Sequence, residues 1–243
     1  MNRQAQAVVM LLFGGAIVKA SVTDMYLRYV KEGLRPFLVV AGLLLIAAAI
    51  MTLVYDLRPR HDEGHESHDD DGHGHAHHEP RVGWLLILPV LGLLLVAPPA
   101  LGSYAAGQAG TVLTAENADS TYPPLPPGDP APVGLLDYAS RAVFDGGKSL
   151  AGRNLRLTGF ITPGPDGQPM LARIILSCCA ADGRPIKVAL SGNTPNTVPA
   201  DTWVEVVGTY AAKTAKDAVN GAEVPYLEVK NWREIPSPQQ QYE

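Results

Sequence analysis

The sequence predicts a membrane protein in two parts, with three transmembrane α-helices followed by a small all-β domain. Most apolar residues lie before residue 102, in runs that are too long and too poor in charge for the core of a soluble protein. After a proline-rich stretch the composition becomes that of a soluble domain, with short strand-like runs between turn signals. The chain has 243 residues, 47% of them hydrophobic, and a formal net charge of −5. A length of this order allows one or two domains.

The transmembrane region is predicted to cover residues 1–105. Its three helices are expected at about residues 7–22, 37–57 and 82–101. The first run resembles a signal peptide, but we expect a retained signal anchor because further apolar spans follow it. The second run has no charge before Asp56 and matches the roughly 20 residues that cross a hydrocarbon core. Pro89 is expected to kink the third helix.

A linker and a β domain follow the helices. Residues 106–132 contain the run PPLPPGDPAP, which favours a stiff, extended polyproline conformation. Residues 133–236 are predicted to form the β domain, and residues 237–243 a tail. The domain is expected to begin with a short amphipathic helix, because Leu135, Ala139 and Ala142 recur at helical spacing.

Five strand-like runs follow this short helix. They are Asn154–Ile161, Met170–Cys178, Pro185–Leu190, Thr202–Tyr210 and Val224–Ile235. Gly159 inside the first run suggests a bulge or a sharp coil of the strand. Five short strands separated by turns fit an OB-like five-stranded barrel, the fold of many oligonucleotide- and oligosaccharide-binding domains. A fragment of a β-sandwich is the alternative.

All seven histidines lie in one predicted loop, residues 58–81, between the second and third apolar runs. They are His61, His65, His68, His73, His75, His77 and His78. Neutral imidazole is the commonest metal-ligand side chain, and the loop adds seven carboxylates against three arginines. Spacings of three and four residues would place ligands on one face of a helix, and spacings of two on one side of a strand. The loop therefore predicts binding of a divalent metal ion.

The composition of this loop favours metal capture, buffering or sensing over catalysis, because a flexible loop exchanges its ligands easily. Zinc is the first expectation, since it accepts mixed imidazole and carboxylate ligands, and nickel, copper and cobalt stay open. The alternative is a solvated loop between two helices that binds no metal.

The two cysteines of the chain are adjacent, in the motif SCCAADGRP. Successive side chains of a strand point to opposite faces, so Cys178 and Cys179 clamp one ion only if a bulge or turn brings both thiols to one side. Asp182 is then the nearest carboxylate. The alternative is that one cysteine is a small buried hydrophobic residue and the other ends the strand.

The predicted membrane topology separates the two candidate metal sites. One transmembrane helix lies between the histidine loop and the β domain, so they are expected on opposite sides of the membrane. Basic residues near the helix ends give the orientation. Those that place the N-terminus and the histidine loop inside are Arg3, Arg58, Arg60 and Arg81, and those that oppose this are Arg28, Lys31 and Arg35. We expect a multi-pass protein of the inner or plasma membrane with an extracytoplasmic β domain.

The chain resembles the YcgQ-like family of membrane proteins over nearly its full length. The likeness rests on the helical N-terminal region, the His/Asp-rich loop before a helix ending in APPALG, and the motif SCCAADGRPIKV. Gly183 is a small departure, since a small residue such as alanine is expected at this position. The resemblance implies one subunit of a two-component permease whose partner is a larger polytopic protein, in a setting of metal homeostasis, zinc especially. It also implies a functional role for Cys178, Cys179 and Asp182.

These observations lead to a functional prediction. We expect a membrane accessory subunit of a metal permease or homeostasis system, with a divalent ion, zinc first, bound by the histidine loop. The alternative is a membrane-anchored OB-like binding or signalling protein without a role in metal transport. Nucleic acid is not expected as a partner, because residues 133–243 carry eleven basic and eleven acidic residues and form no basic stripe. An enzyme is not expected, because this domain has no histidine and no phosphate-binding loop.

Overall fold

The computed structural model describes residues 3–57, 92, 99–113, 122–165 and 167–243. They belong to two compact units. The first unit contains the N-terminal helices. The second contains residues 100–243 together with the short segment 27–31, which lies between those helices in the sequence.

Two long helices form the first unit. Helix α1 covers Arg3–Val22 and helix α2 covers Arg35–Leu57. The two helices pack closely where glycines face each other, because a Cβ atom on Gly14 would lie 2.8 Å from the carbonyl oxygen of Gly42. Small residues that allow such backbone approach are typical of helix pairs in membranes.

One helix in the described part of the chain, Glu32–Asp56, is long and apolar enough to cross a membrane. Helix α1 includes a shorter apolar stretch, Gln6–Val22. Large apolar side chains of α2 are exposed, including Phe37 at 70% and Met51 at 72%. Exposed apolar surface of this extent fits contact with lipid. The second predicted span is therefore confirmed as a candidate. The first is helical but too short to count as a span, so the three predicted spans are not confirmed among the described residues. The third, at 82–101, falls largely outside those residues.

A small β-barrel forms the second unit, as the sequence predicts. Its helices are α3, Ser103–Gln108, and α4, Leu135–Phe144. Its strands are β1, Ala131–Pro132; β2, Leu155–Pro163; β3, Pro169–Ile175; β4, Arg184–Gly192; β5, Trp203–Lys216; and β6, Glu223–Glu234. Strands β2 to β6 pair in the order β2-β3-β4-β6-β5, and β5 pairs back with β2. This closure identifies a five-stranded barrel and removes the sandwich alternative.

Alternating side chains and one short helix build the core of the barrel. Leu155 and Leu157 in β2 are fully buried, while Arg156 and Thr158, which alternate with them, are half-exposed. Gly159 lets the backbone of β3 approach β2 closely, because a Cβ atom there would lie 2.6 Å from the carbonyl oxygen of Ala172. The apolar face of α4 packs on the same core through Leu135, Tyr138 and Ala139, all fully buried.

The predicted linker was expected to be extended, but its first described residues pack on the barrel. Residues 103–113 form α3 and then pack on the barrel, because polar groups of the barrel bind their backbone. Asp201 accepts hydrogen bonds from the backbone N–H and the hydroxyl of Ser103, at 2.6 and 2.7 Å. The buried Lys187 ammonium donates to the carbonyl oxygen of Ala109 at 2.9 Å. Further along, the Arg141 guanidinium donates to the carbonyl oxygen of Pro123 at 2.9 Å.

Candidate functional site

The loop between β3 and β4 carries the two cysteines. Strand β3 ends at Ile175, three residues before the predicted end of the run, so neither cysteine follows the alternation of a strand. A single 3₁₀ turn, Ala180–Asp182, follows the pair and leads into β4 at Arg184. The turn brings both thiols and the Asp182 carboxylate to one side. Of the two interpretations of the pair, this geometry favours a shared site over packing.

The three side chains are spaced for one ion. The Sγ atoms of Cys178 and Cys179 lie 3.5 Å apart, and one ligand atom from each of Cys178, Cys179 and Asp182 lies within 4.8 Å of the others. Two thiolates on a tetrahedral zinc ion, each at about 2.3 Å, would be about 3.8 Å apart. A disulfide would need about 2.05 Å. Cys178 is exposed and the other two residues are half-exposed, so an ion can reach all three.

The Asp182 carboxylate organises this loop. Its oxygens accept hydrogen bonds from the backbone N–H groups of Ser177, Cys178 and Cys179, at 2.9, 2.8 and 3.3 Å. The hydrogen bond from the Cys178 thiol, followed by those from the backbone, lowers the pKa of Asp182 to about 2. The carboxylate is therefore ionised at neutral pH. In the described part of the chain no lysine or arginine forms an ion pair with it.

The same contacts hold the Cys178 thiol in its protonated form. Its hydrogen bond to Asp182, and then its contact with Cys179, raise the pKa of the thiol to about 12. A reactive cysteine needs the opposite environment, with a cation or a helix N-terminus that lowers its pKa. A metal ion would supply that positive charge and replace the thiol proton. The loop therefore suits binding of a cation better than nucleophilic chemistry.

Family comparisons agree with the two-part organisation. The DUF1980 N-terminal domain matches residues 5–112, and the DUF1980 C-terminal domain matches residues 143–243. The chain belongs to the DUF1980 family. This supports the resemblance to YcgQ-like proteins, while the role of a permease subunit stays a prediction. No curated protein and no solved structure matches the chain.

A second segment of the DUF1980 chain braces the cysteine loop. Val30 pairs with Cys179 in an isolated antiparallel bridge. The Lys31 N–H donates to the carbonyl oxygen of Cys178 at 3.1 Å, and the Ala180 N–H donates to that of Tyr29 at 2.6 Å. Sequence reasoning missed this contact, because backbone pairing over such a separation leaves no local pattern in residues 27–31.

Tyr242 ties this brace to the rest of the unit. Its hydroxyl donates to the carbonyl oxygen of Arg28 at 2.7 Å and accepts from the N–H of Leu101 at 3.0 Å. The predicted tail thus packs on the barrel next to β3, where Ile174 pairs with Tyr242. In this DUF1980 protein, the backbone of the cysteine loop is held by its pairing with residues 29–31, while its two thiols and the Asp182 carboxylate stay accessible to solvent.

The seven histidines of the predicted metal loop lie outside the described residues. The expectation that His61, His65, His68, His73, His75, His77 and His78 bind a metal ion stays a prediction. Within the described residues, the group formed by Cys178, Cys179 and Asp182 is the one whose ligand atoms converge. Its donors, two thiols and a carboxylate, fit zinc and softer ions.

Proposed function

We propose that this protein is a membrane accessory subunit that binds a divalent metal ion, zinc first, and works with a polytopic permease. The convergence of Cys178, Cys179 and Asp182 carries the proposal. The family resemblance, which points to metal homeostasis, supports it as well. We propose no catalytic role, because the Cys178 thiol lacks the lowered pKa of a nucleophile.

The ligand number suits transfer of the ion rather than permanent storage. Structural zinc sites close the tetrahedron with four protein ligands, whereas three ligands leave one position open. The described loop offers three, on an exposed turn. An incoming ligand from a partner protein can therefore attack the bound ion at the open position. This arrangement fits an accessory subunit that passes metal to or from a permease.

Contacts of residues 27–31 support the three-helix topology. These residues lie between α1 and α2 and pair with the cysteine loop, so that short loop and the barrel share one side of the membrane. If α1 and α2 both cross, residue 57 lies on the opposite side. The chain must then cross again before residue 99, and the predicted helix at 82–101 is the candidate.

The same topology separates two metal-binding segments. The histidine loop, residues 58–81, would lie across the membrane from the cysteine site, and the two cannot share an ion within one chain. We propose that the histidine loop concentrates metal ions on one side of the membrane, and that the cysteine loop binds and transfers them on the other. The extracytoplasmic position of the barrel belongs to this proposal.

Zinc titration of the purified full-length protein in detergent tests the site. Cys178→Ser combined with Cys179→Ser should remove one bound zinc ion per chain, or weaken that ion about tenfold or more. Deletion of residues 61–78 should leave the cysteine site intact. Ser177→Ala is the matched control, because Ser177 lies in the same loop and contributes only its backbone N–H. Unchanged zinc stoichiometry and affinity in the double serine variant would refute the proposal.

Side-specific labelling tests the topology. In the double serine background, single cysteines at Lys31→Cys, Lys148→Cys and Gln4→Cys would be treated with a membrane-impermeant maleimide in intact cells. We expect Lys31→Cys and Lys148→Cys to label from one side and Gln4→Cys from the other. Labelling of the Lys31 and Lys148 positions from opposite sides would contradict the three-helix arrangement.

Co-purification tests the partner. The tagged protein, isolated from membranes of its own host, should retain a polytopic membrane protein, and the complex should contain zinc. The double serine variant should retain the partner and lose metal from the cysteine site. A wild-type complex without a polytopic protein would leave metal binding in place and refute the role as a permease subunit.

A further inference from the structure

A separate cleft opens on the outer wall of the barrel. Its volume is about 500 Å³, and it lies between the β2–β3 turn, the end of β4 and the β5–β6 hairpin. It has no lining residue in common with the cysteine loop. Small-molecule sites commonly measure about 300–1,000 Å³. The cleft is thus large enough for a ligand of one or two rings.

The floor of the cleft is apolar and its rim is polar. Met170 and Ala189 are buried in a small cluster against which Tyr226 packs. The rim presents amide and hydroxyl groups, among them those of Gln168, Ser191 and Asn196. An apolar floor with a few polar groups around it is the usual construction of a site for a small organic molecule.

Two lysines give the cleft a positive charge. The Lys213 ammonium lies 3.9 Å from the centre of the Tyr226 ring, so a cation–π contact holds it at the cleft. Lys216 also lines the cleft, and its ion pair with Glu223 is long, at 3.6 Å, and exposed. Among the described residues that line the cleft there is no aspartate or glutamate. A concave surface with charge of one sign attracts ligands of the opposite sign.

The topology gives an independent reason to expect a ligand here. OB barrels bind ligands on the face of their second and third strands, between the loops that follow the first and fourth strands. In this barrel those strands are β3 and β4, and the cleft lies on them. Gly164 and Gln168 come from the first of the two loops, and Lys216 lies at the start of the second.

We propose that this cleft binds a small organic anion, a molecule of one or two rings that bears a carboxylate or a phosphate. The ring would pack on Met170 and Tyr226, and the anionic group would pair with Lys213 and Lys216. A nucleic-acid strand fits less well, because each bound base needs its own stacking partner and Tyr226 is the one aromatic residue among the described lining.

Pyridoxal 5′-phosphate is a suitable probe, because it is an aromatic phosphate whose aldehyde condenses with lysine amines. The full-length protein in detergent would be treated with the probe and reduced with borohydride, and each lysine adduct would be quantified by peptide mass mapping. We expect Lys213 or Lys216 to react at least tenfold faster than Lys148, with a rate that saturates as the probe concentration rises. Lys148 is the control, since it is exposed and does not line the cleft.

Two further measurements complete the test: competition by anions that do not react with lysine, and a substitution that fills the cleft. Benzoate and phenyl phosphate distinguish the two anionic groups, and protection of Lys213 by either one supports the proposal. Ser191→Tyr should fill the cleft and abolish the preference for Lys213 while Lys148 reacts as before. The double serine variant of the metal site should label like wild type, so this result is independent of metal binding. The proposal would be overturned if Lys213 and Lys216 reacted no faster than Lys148, at a rate that rises linearly with probe concentration. This holds whatever the variant shows.

Discussion

Asp182 and Asp217 are two carboxylates that organise two turns of one barrel, and they differ in what neutralises them. Asp217 is buried, and it accepts a hydrogen bond from the Lys187 ammonium at 2.8 Å besides bonds from backbone N–H groups. Asp182 lies on the exposed loop and accepts from backbone N–H groups and a thiol. Both remain ionised, but among the described residues only Asp217 pairs with a cation.

The comparison separates a structural carboxylate from a binding carboxylate. Burial alone would raise the pKa of Asp217, but the Lys187 hydrogen bond and the backbone bonds outweigh it and lower that pKa. Asp182 reaches its low pKa through the Cys178 thiol and backbone N–H groups. No described lysine or arginine pairs with its negative charge, which can therefore attract an ion from solution. Residue type does not distinguish the two aspartates, whereas their partners do.

The largest expected effect is on stability, at the buried pair. Lys187→Met leaves the Asp217 charge buried and unpaired, and it also removes the bond to the carbonyl oxygen of Ala109. The free energy of unfolding should fall by about 3–5 kcal/mol. Denaturant unfolding followed by tryptophan fluorescence measures it. Lys216→Met is the control, because its exposed pair with Glu223 is worth about 0–1 kcal/mol. Equal losses in both variants would contradict the comparison.

The second prediction concerns protons released when zinc binds. The pKa of the Cys178 thiol is raised to about 12, so zinc must displace at least one proton per ion at pH 8. Imidazoles, with an ordinary pKa near 6.5, are already neutral there and release almost none. Because the proton competes with zinc, affinity should rise with pH between about 6 and 9. Calorimetry in two buffers of different ionisation enthalpy gives the proton count.

The variants assign those protons to a site. Deletion of residues 61–78 should leave the proton count of the cysteine site unchanged, and the double serine variant should lose it. A heat of binding that is independent of the buffer in the wild-type protein would show that the thiols do not bind the ion.

A third prediction, smaller in effect, separates the charge of Asp182 from its hydrogen bonds. Asp182→Asn removes the negative charge, so zinc should bind about tenfold more weakly. The Cys178 pKa should fall towards its ordinary value, since its largest cause is the bond to Asp182. Iodoacetamide should then alkylate Cys178 several-fold faster at pH 8. An unchanged alkylation rate would show that the carboxylate does not control the thiol.

Local patterns predicted the barrel well. All five strand runs and the helix at Leu135 appear in the structure, because alternation and turn residues determine them locally. The residues of the cysteine site were also named from their type and spacing. Their convergence was left open, because it depends on where β3 ends, and strand ends are set by pairing with β2 and β4.

Contacts between distant backbone groups were not predictable in this way. Residues 27–31 pair with the cysteine loop through N–H and carbonyl groups that every residue has. The packing of residues 103–113 on the barrel depends on Asp201 and Lys187, which lie far along the chain. The following stretch is rich in proline, but composition carries no information about which side chains bind its carbonyl oxygens.

The smallest expected effect concerns Gly183, where the resemblance to YcgQ-like proteins led us to expect a small residue such as alanine. Its φ of −59° suits any residue, so backbone conformation does not require glycine here. The space around residue 183 is limited, however, because an added Cβ atom would lie 2.7 Å from a methyl carbon of Leu101 and 3.1 Å from both the carbonyl oxygen of Ala180 and a methyl carbon of Ile174. The methyl group can move, so Gly183→Ala should lower the free energy of unfolding by only about 1 kcal/mol.

A double-mutant cycle tests that explanation. Leu101→Ala removes the methyl group, so the loss from Gly183→Ala should largely disappear in the combined variant. Zinc affinity should change little in either variant, because neither substitution alters the Cys178, Cys179 or Asp182 side chain. Additive losses would place the strain at the carbonyl oxygen of Ala180 or at a methyl carbon of Ile174, each 3.1 Å from the added Cβ atom. A drop in zinc affinity equal to that of Asp182→Asn would mean that packing beneath the turn, and not the unneutralised carboxylate, determines whether the loop can bind a cation.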